Sequence, residues 1–368
     1  MAAPRPSSTA SVRAFIEGAK DPAHLGLALA PMEGVSDAVV RALLSELGGM
    51  DLCVTEFIRV TERAVPARIL RASCPELDAG GRTPSGTPVT VQLLGSNVPA
   101  LAETAVRAVE LGAPGIDLNF GCPARRVNGH DGGAAVLKTP ARVETIVGGV
   151  RRALPAGTPL TAKIRLGWDT PEPALDIVRA AEAGGAALVT IHGRTKTDMY
   201  RPPANWARIG EARAAVGVPV VANGDLFGPA AVQACREVTG CGTFMLGRGA
   251  FRIPNLFRWV RGMDDAPSSS HASIALLRRF VVEMPKKLGL KSPERATLAR
   301  LKQWTRAMGE ADPELRRCFE GLKRCAELPD ALEVLDRAFP ADTDPSDAPS
   351  SGANMQDSPS LVAESHGL

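Results

Sequence analysis

The sequence predicts an α/β fold: a barrel of eight alternating strand and helix units, followed by a smaller C-terminal domain made of helices alone. Three observations predict it. Short β-branched apolar segments alternate with Ala/Arg/Glu-rich helical patterns from residue 25 to about residue 258, and strict alternation means parallel pairing through crossover helices. Eight such units match the size of a closed (β/α)8, or TIM, barrel. The chemically distinctive residues stand at the C-terminal ends of nearly all the strands; a barrel gathers those ends around one mouth, and an open doubly wound sheet would leave the outer ones far apart.

Taken in order, the expected strands cover residues 27–31, 51–57, 88–95, 115–122, 160–168, 187–195, 218–225 and 242–250. Their ends carry Pro31-Met32-Glu33, Thr55-Glu56-Phe57, Gln92, Asn119-Phe120-Gly121-Cys122, Lys163-Ile164-Arg165, His192-Gly193-Arg194, Asn223-Gly224-Asp225 and Gly247-Arg248-Gly249. Beyond residue 258 the strand pattern stops and a helical domain is expected over 259–340. Ser292-Pro293-Glu294 has the form of a helix start, with Ser as N-cap and Pro in the first turn. From there Leu298, Leu301, Trp304 and Met308 fall on one side at 100° per residue, and Arg295, Lys302 and Arg306 on the other. Residues 1–24 and 341–368 are rich in Ser, Pro, Ala and Asp; they read as a flexible leading segment and a disordered acidic tail, because such composition buries too little surface to offset ordering entropy.

Composition narrows the class. The chain has 368 residues, 45% hydrophobic and 23% charged, which excludes wholesale disorder. It has neither a run of about 18 apolar residues nor a signal-peptide pattern, so a soluble, cytoplasmic protein without a membrane partner is expected. Seven cysteines without an export signal argue against a disulfide framework. The net charge of +3 hides a regional imbalance: residues 278–324 hold 13 Lys/Arg against 6 Asp/Glu, and 341–368 hold five acids with no Lys or Arg. A local basic surplus suits a polyanion.

Chemistry is expected at the mouth. Asn223-Gly224-Asp225 and Gly247-Arg248-Gly249 end the last two strands, the quadrant where barrels often hold a phosphate. No G-x-G-x-x-G follows a strand, so FMN fits better than a stably held dinucleotide. Lys163 would be a buried cation beside the flavin ring, Gln92 an amide at its edge, and Pro31-Met32 an apolar shelf on one face. His192 is either a cofactor contact or a satisfied core histidine. Cys122, held between Gly121 and Pro123, can be a nucleophile, a metal ligand, a proton donor or a buried structural thiol. No C-x-x-C occurs, so no metal is expected. Beside a flavin, proton donation is the economical role, since reducing an activated C=C needs a hydride at one carbon and a proton at the other.

The motifs Leu-Ala-Pro-Met-Glu-Gly-Val (29–35), Val-Gln-Leu-Leu-Gly (91–95), Asp-Leu-Asn-Phe-Gly-Cys-Pro (117–123), Lys-Ile-Arg-Leu-Gly (163–167), Ile-His-Gly-Arg-Thr (191–195), Ala-Asn-Gly-Asp (222–225) and Leu-Gly-Arg-Gly (246–249) closely resemble the tRNA-dihydrouridine synthases. The resemblance spans residues 25 to 325 and is strongest to the bacterial branch acting on uridine 16. It implies reduction of the uridine C5=C6 bond in tRNA, with NADPH (or NADH) as transient reductant. FMN would be held by Pro31, Met32, Glu33, Gln92, Lys163, His192, Asn223, Gly224, Asp225, Gly247 and Arg248. Cys122 would protonate C5, Asn119 would orient the base, and Glu56 would contact the tRNA. The basic helix, with Arg295, Arg300, Lys302, Gln303 and Arg306, would dock tRNA, giving a barrel over 25–258 for FMN and a helical tRNA-binding domain over 259–340. No obligate protein partner is expected. Members of the branch have Glu where Asp225 stands and usually Cys where Phe120 stands; Asp keeps the carboxylate. Two other classes stay open: an FMN barrel acting on a free small molecule, similar to dihydroorotate dehydrogenases, and a tRNA-binding module without chemistry.

Overall fold

A computed structural model of the chain describes residues 11–129, 131–287 and 291–340. They fall into two compact units, one of residues up to 199 with 203–267, the other of 200–202 with 268 onward. The first unit therefore extends past the expected boundary at 258. Residues 248–267 carry helical pattern yet belong to the barrel, because Arg258 and Arg261 bond the loop before β2: Arg261 donates to the Gly49 carbonyl at 2.6 Å.

The strands are β1 (Gly26–Leu29), β2 (Leu52–Val54), β3 (Ile58–Arg59), β4 (Val89–Leu94), β5 (Ile116–Asn119), β6 (Leu160–Arg165), β7 (Leu188–His192), β8 (Val220–Asn223) and β9 (Thr243–Leu246). All pairings are parallel, in the order β2-β1-β9-β8-β7-β6-β5-β4, and β4 returns to β2 through Cys53–Val89 and Val54–Thr90. Eight strands thus close a barrel, and β3 is a two-residue addition against Leu93 and Leu94. Every expected strand exists and stops one to four residues sooner than its pattern suggests. Past several stops one more N–H still reaches the neighbouring strand, as from Ala30 to Leu246 and from Phe120 to Lys163, both at 2.8 Å, before the chain enters the mouth loops.

Register builds a polar interior near the mouth. Gln92 is opposite Asp117, and Asp117 opposite Thr161. Asn119 is opposite Lys163, Arg165 opposite His192, and His192 opposite Asn223. Partners in a parallel ladder point to one face, so these side chains gather inside the barrel.

The leading segment needs a correction. Residues 12–18, expected within a flexible stretch, form a helix whose N-cap Ser11 hydroxyl accepts from the Ala14 N–H at 3.0 Å. Val12, Phe15 and Ile16 are buried in one cluster with Leu52, Leu188, Val221 and Met245. Leu52 and Leu188 begin their strands, so this helix closes the barrel floor. Composition pointed the other way because three apolar residues in seven carry the packing amid Pro and Ser. Residues 1–10 and the acidic tail at 341–368 lie outside the described residues.

Outside the barrel wall, Arg41 of the helix Ala38–Leu47 is fully buried. It makes paired bonds to Glu76, Nε to Oε1 and Nη2 to Oε2, both 2.8 Å, and a third to the Ser36 carbonyl at 2.8 Å. In the second unit the helices are Ser270–Glu283, Pro293–Met308, Pro313–Leu322 and Leu328–Ala338. Phe280 and Trp304 meet edge to face at 5.3 Å in its core. Ser292 stands at the expected N-cap, but its hydroxyl makes no cap bond. Among the described residues no helix is long and apolar enough to cross a membrane.

Candidate active site

One cavity at the mouth is lined by Pro31, Met32, Lys163, His192, Asn223, Gly224, Asp225, Gly247 and Arg248, together with neighbouring apolar groups. Nine of the eleven residues expected at a cofactor are thus brought together. Glu33 is exposed, and Gln92 is wholly buried in a different set of contacts; neither lines the cavity.

Backbone shape sets much of the lining. Gly224 has φ +123°, and a Cβ there would come within 2.9 Å of the Ala204 Cβ, so glycine is required both by dihedral and by space. Asp225 follows at φ 57°, a left-handed conformation that Asp tolerates better than most residues. Its Oδ2 accepts from Arg194 at 2.6 Å and from the Ala204 N–H at 2.7 Å, while Arg248 approaches Oδ1 at 3.6 Å. Asp225 therefore holds the turn and steers Arg248. Among the described residues, the N–H groups of Gly224, Asp225 and Gly247 have no backbone acceptor in the protein, so solvent or a bound group must satisfy them.

Lys163 donates to the Asn223 side-chain oxygen at 3.3 Å, and the Asn223 amide donates to the Met245 carbonyl at 2.8 Å. Burial, aided by Arg165, lowers the Lys163 pKa to about 8. Burial, with Arg165, Lys163 and Arg194, holds His192 well below its ordinary value, so it is neutral. Arg194 Nη1 lies 3.3 Å from His192 Nε2. A guanidinium cannot accept, so Nε2 accepts and Nδ1 carries the proton.

A pH dependence follows for the cofactor-free protein. The folded form releases the Lys163 proton near pH 8, the unfolded form near 10.5, so between those values the unfolded chain binds more protons and stability rises with pH. The Lys163 contribution is fully present above 10.5 and lost as pH falls through 8. Lys163→Met is therefore expected to be more stable than wild type at pH 7 by roughly 3 kcal/mol, and urea titrations should show that gap shrinking from pH 8 upward and closing above pH 10.5. A constant gap would contradict the burial argument.

Cys122 stands on the neighbouring rim, buried against Leu94 and Val127. Asn119 Oδ1 accepts from the N–H groups of Gly121 at 2.9 Å and Cys122 at 3.0 Å. The Gly121 carbonyl accepts from Arg165 Nε at 2.8 Å, and the Cys122 carbonyl from the Ala134 N–H at 3.1 Å. Gly133, at φ +58°, lets the chain pass: a Cβ there would come within 2.9 Å of the Cys122 carbonyl oxygen. Burial first, and the nearby Glu33 charge, push the thiol above its ordinary pKa despite a backbone hydrogen bond at Ala124. The group is a protonated thiol at neutral pH.

The residues expected at RNA lie in two places. Glu56 accepts from the Val35 N–H at 3.0 Å, joining the loops after β1 and β2. Asn119 spends its oxygen on the Cys122 turn, and its Nδ2 donates to Gln92 Oε1 at 2.7 Å. The others are on the helix Pro293–Met308, where Arg295 and Arg306 are exposed. Arg300 Nη1 donates to Gln303 Oε1 at 2.5 Å. Lys302 is drawn to the carbonyl oxygens of Cys325, at 2.6 Å, and Lys323, at 3.3 Å. Sequence reasoning missed Asp117, Arg165 and Arg194 as site residues. Period-2 spacing was the available signal: Asp117 shares a face with Asn119, and Arg165 with Lys163.

Against known proteins, a family profile described as dihydrouridine synthase (Dus) matches residues 28–341. The chain is 45% identical to a tRNA-dihydrouridine(16) synthase of Pseudomonas putida, over 84% of this chain and 96% of that protein. It is 43% identical to the protein of that name from Haemophilus influenzae, over 82% and 96% of the two chains. The Escherichia coli K12 protein of that name is 41% identical, over 84% and 98%.

Proposed function

This chain belongs to the dihydrouridine synthase family, and from that premise we propose that it reduces a uridine of tRNA, uridine 16, to 5,6-dihydrouridine, using bound FMN and NADPH (or NADH) as transient reductant. One observation carries the reading: a buried, protonated thiol on a braced turn lies outside the lining of a cavity of cationic and N–H donors but near enough to its Lys163 for their charges to interact. The donor set suits FMN. Lys163, Arg248 and the open N–H groups of Gly224, Asp225 and Gly247 match a phosphate and the electron-rich edge of a reduced ring. Pro31 and Met32 offer an apolar shelf, and neutral His192 and Asn223 complete the lining.

A bound FMN would supply hydride chemistry at C6 of uracil, with a nicotinamide as the source of the electrons. The residues of the chain do the rest. Cys122 gives its proton to C5 as C6 accepts the electron pair, so that one hydride and one proton saturate the C5=C6 bond; the thiolate left behind regains a proton from solvent. A raised thiol pKa keeps the acid form available. Lys163 keeps a positive charge next to the cavity, and Asp225 keeps Arg248 aimed at it. Arg295 and Arg306 supply phosphate contacts on the helical unit, since folded RNA is bound through its backbone and shape. The target base must leave its stack, at a cost of a few kcal/mol that those contacts offset.

The test is direct. Purified protein, NADPH and an unmodified tRNA transcript are incubated and dihydrouridine is mapped along the chain; the expected result is a yellow protein and product at position 16. Product only at another position would overturn the site assignment. Turnover of free orotate or uracil without tRNA would favour the small-molecule reading.

A further inference from the structure

Inside the barrel the side chains of Asp117, Gln92 and Asn119 form a one-directional series of hydrogen bonds that ends at the Cys122 turn. Gln92 Nε2 donates to Asp117 Oδ2 at 2.6 Å, and Asn119 Nδ2 donates to Gln92 Oε1 at 2.7 Å. Asn119 Oδ1 then accepts from the N–H groups of Gly121 and Cys122. Thr161 Oγ1 bonds the other Asp117 oxygen at 2.5 Å. All four polar side chains are buried, Gln92 completely.

Resting on the proton-donor role of Cys122, we propose that Asp117 is a positioning residue for the thiol, acting through Gln92 and Asn119 to hold the turn that carries it.

Side-chain amides have a donor end and an acceptor end, and each can flip. At one end of the series two backbone N–H groups can only donate, so they demand the oxygen of Asn119. Its Nδ2 must then donate to Gln92 Oε1, which turns Gln92 Nε2 toward residue 117. An acceptor is required there. Asp117 Oδ2 is that acceptor whether the carboxyl is ionised or carries a proton on the oxygen facing Thr161. Both ends thus agree on one orientation, and a buried network satisfied throughout favours a single geometry. With an apolar side chain at 117, Gln92 Nε2 has no acceptor in a dry interior. Either amide then flips to find one, and the N–H groups of Gly121 and Cys122 lose theirs.

Asparagine at 117 preserves the pattern. Its oxygen can face Gln92 while its NH2 faces Thr161, whose hydroxyl can accept from it and donate to the Ile116 carbonyl, 3.5 Å away. The proposal therefore separates an acceptor at 117 from a charge at 117.

The experiment compares Asp117→Leu, Asp117→Asn, Gln92→Met and Cys122→Ala in the full chain. The first readout is Cys122 alkylation by iodoacetamide in cofactor-free protein, followed on its proteolytic peptide by mass spectrometry. The second is kcat and KM for tRNA. Asp117→Leu and Gln92→Met are expected to raise the alkylation rate roughly tenfold as the turn loosens. They should lower kcat by roughly 10–100-fold with little change in KM, as expected for a misplaced reacting group. Asp117→Asn should stay near wild type in both. Unchanged alkylation and kcat in the Leu and Met variants would overturn the proposal, and so would an Asn variant as impaired as the Leu variant. Gln92→Met gives the answer if Asp117→Leu does not fold. Cys122→Ala tests the premise separately: full activity there removes the proton-donor role, while the alkylation data still report whether Asp117 holds the turn.

Discussion

Replacing Cys122 by alanine will leave a yellow protein that still binds tRNA and oxidises NADPH, and will lower dihydrouridine formation by roughly 10²–10⁴-fold. The size follows from what the thiol does. The residues proposed to hold the cofactor are Lys163, Asn223 and the N–H groups around Gly224 and Gly247, none of which contacts Cys122 through a hydrogen bond. Among the described residues near the thiol, Glu33 and Arg165 are poor substitutes as the acid for C5. Glu33 is exposed, and Arg165 is bound to three carbonyls, of Gly121, Thr195 and Met199. Water can replace the thiol only without its placement, which is why the loss stays within the range for a general acid. Single-turnover reduction of tRNA by prereduced enzyme measures it, and an undiminished rate would remove Cys122 from the chemistry.

Arg41→Leu is the substitution with the largest expected effect on stability, a loss of about 3–5 kcal/mol. The guanidinium is inaccessible, and its partner Glu76 is only 6% exposed. Its bonds tie the helix Ala38–Leu47 to the short 3-10 turn Pro75–Ala79 and to the loop at Ser36. Removing the cation leaves Glu76 ionised and dry, or forces it to take up a proton. Equilibrium urea unfolding gives the number, and Arg41→Leu combined with Glu76→Leu should recover part of the loss because the stranded charge is gone. A loss below about 1 kcal/mol would mean the pair is hydrated in solution.

The barrel was legible because parallel strands buried on both faces read as continuous apolar runs, and their mouth ends were marked by residues too polar for packing. Strand lengths were less legible. The run Leu52-Cys53-Val54-Thr55 does not reveal that the ladder stops at Val54 and resumes as the separate pair Ile58–Arg59. In the site, sequence pattern led to the cavity lining, since Gly and Arg at adjacent strand ends imply a phosphate-sized cradle. It did not disclose the interior row. Gln92 looked like a group for the ring edge, yet register sets it beside Asp117, and its amide is used within the protein. Sequence pattern gives the face a residue occupies, whereas its partners depend on which strands become neighbours. Lys302 is a similar case: helical periodicity aligned it with Arg295 and Arg306, and the chain end of the following helix captured its ammonium.

The floor helix Val12–Gly18 has a consequence for how this protein comes into being on the ribosome. Its apolar residues cover Leu188, Val221 and Met245, and β1 cannot find its second neighbour until β9 exists. Early-made and late-made segments must meet before either has a dry interior, and contacts so distant in sequence make folding slow. A nascent chain released before residue 246 therefore has no smaller barrel to retreat to, and its apolar strands stay open to chaperones and proteases until the last one emerges.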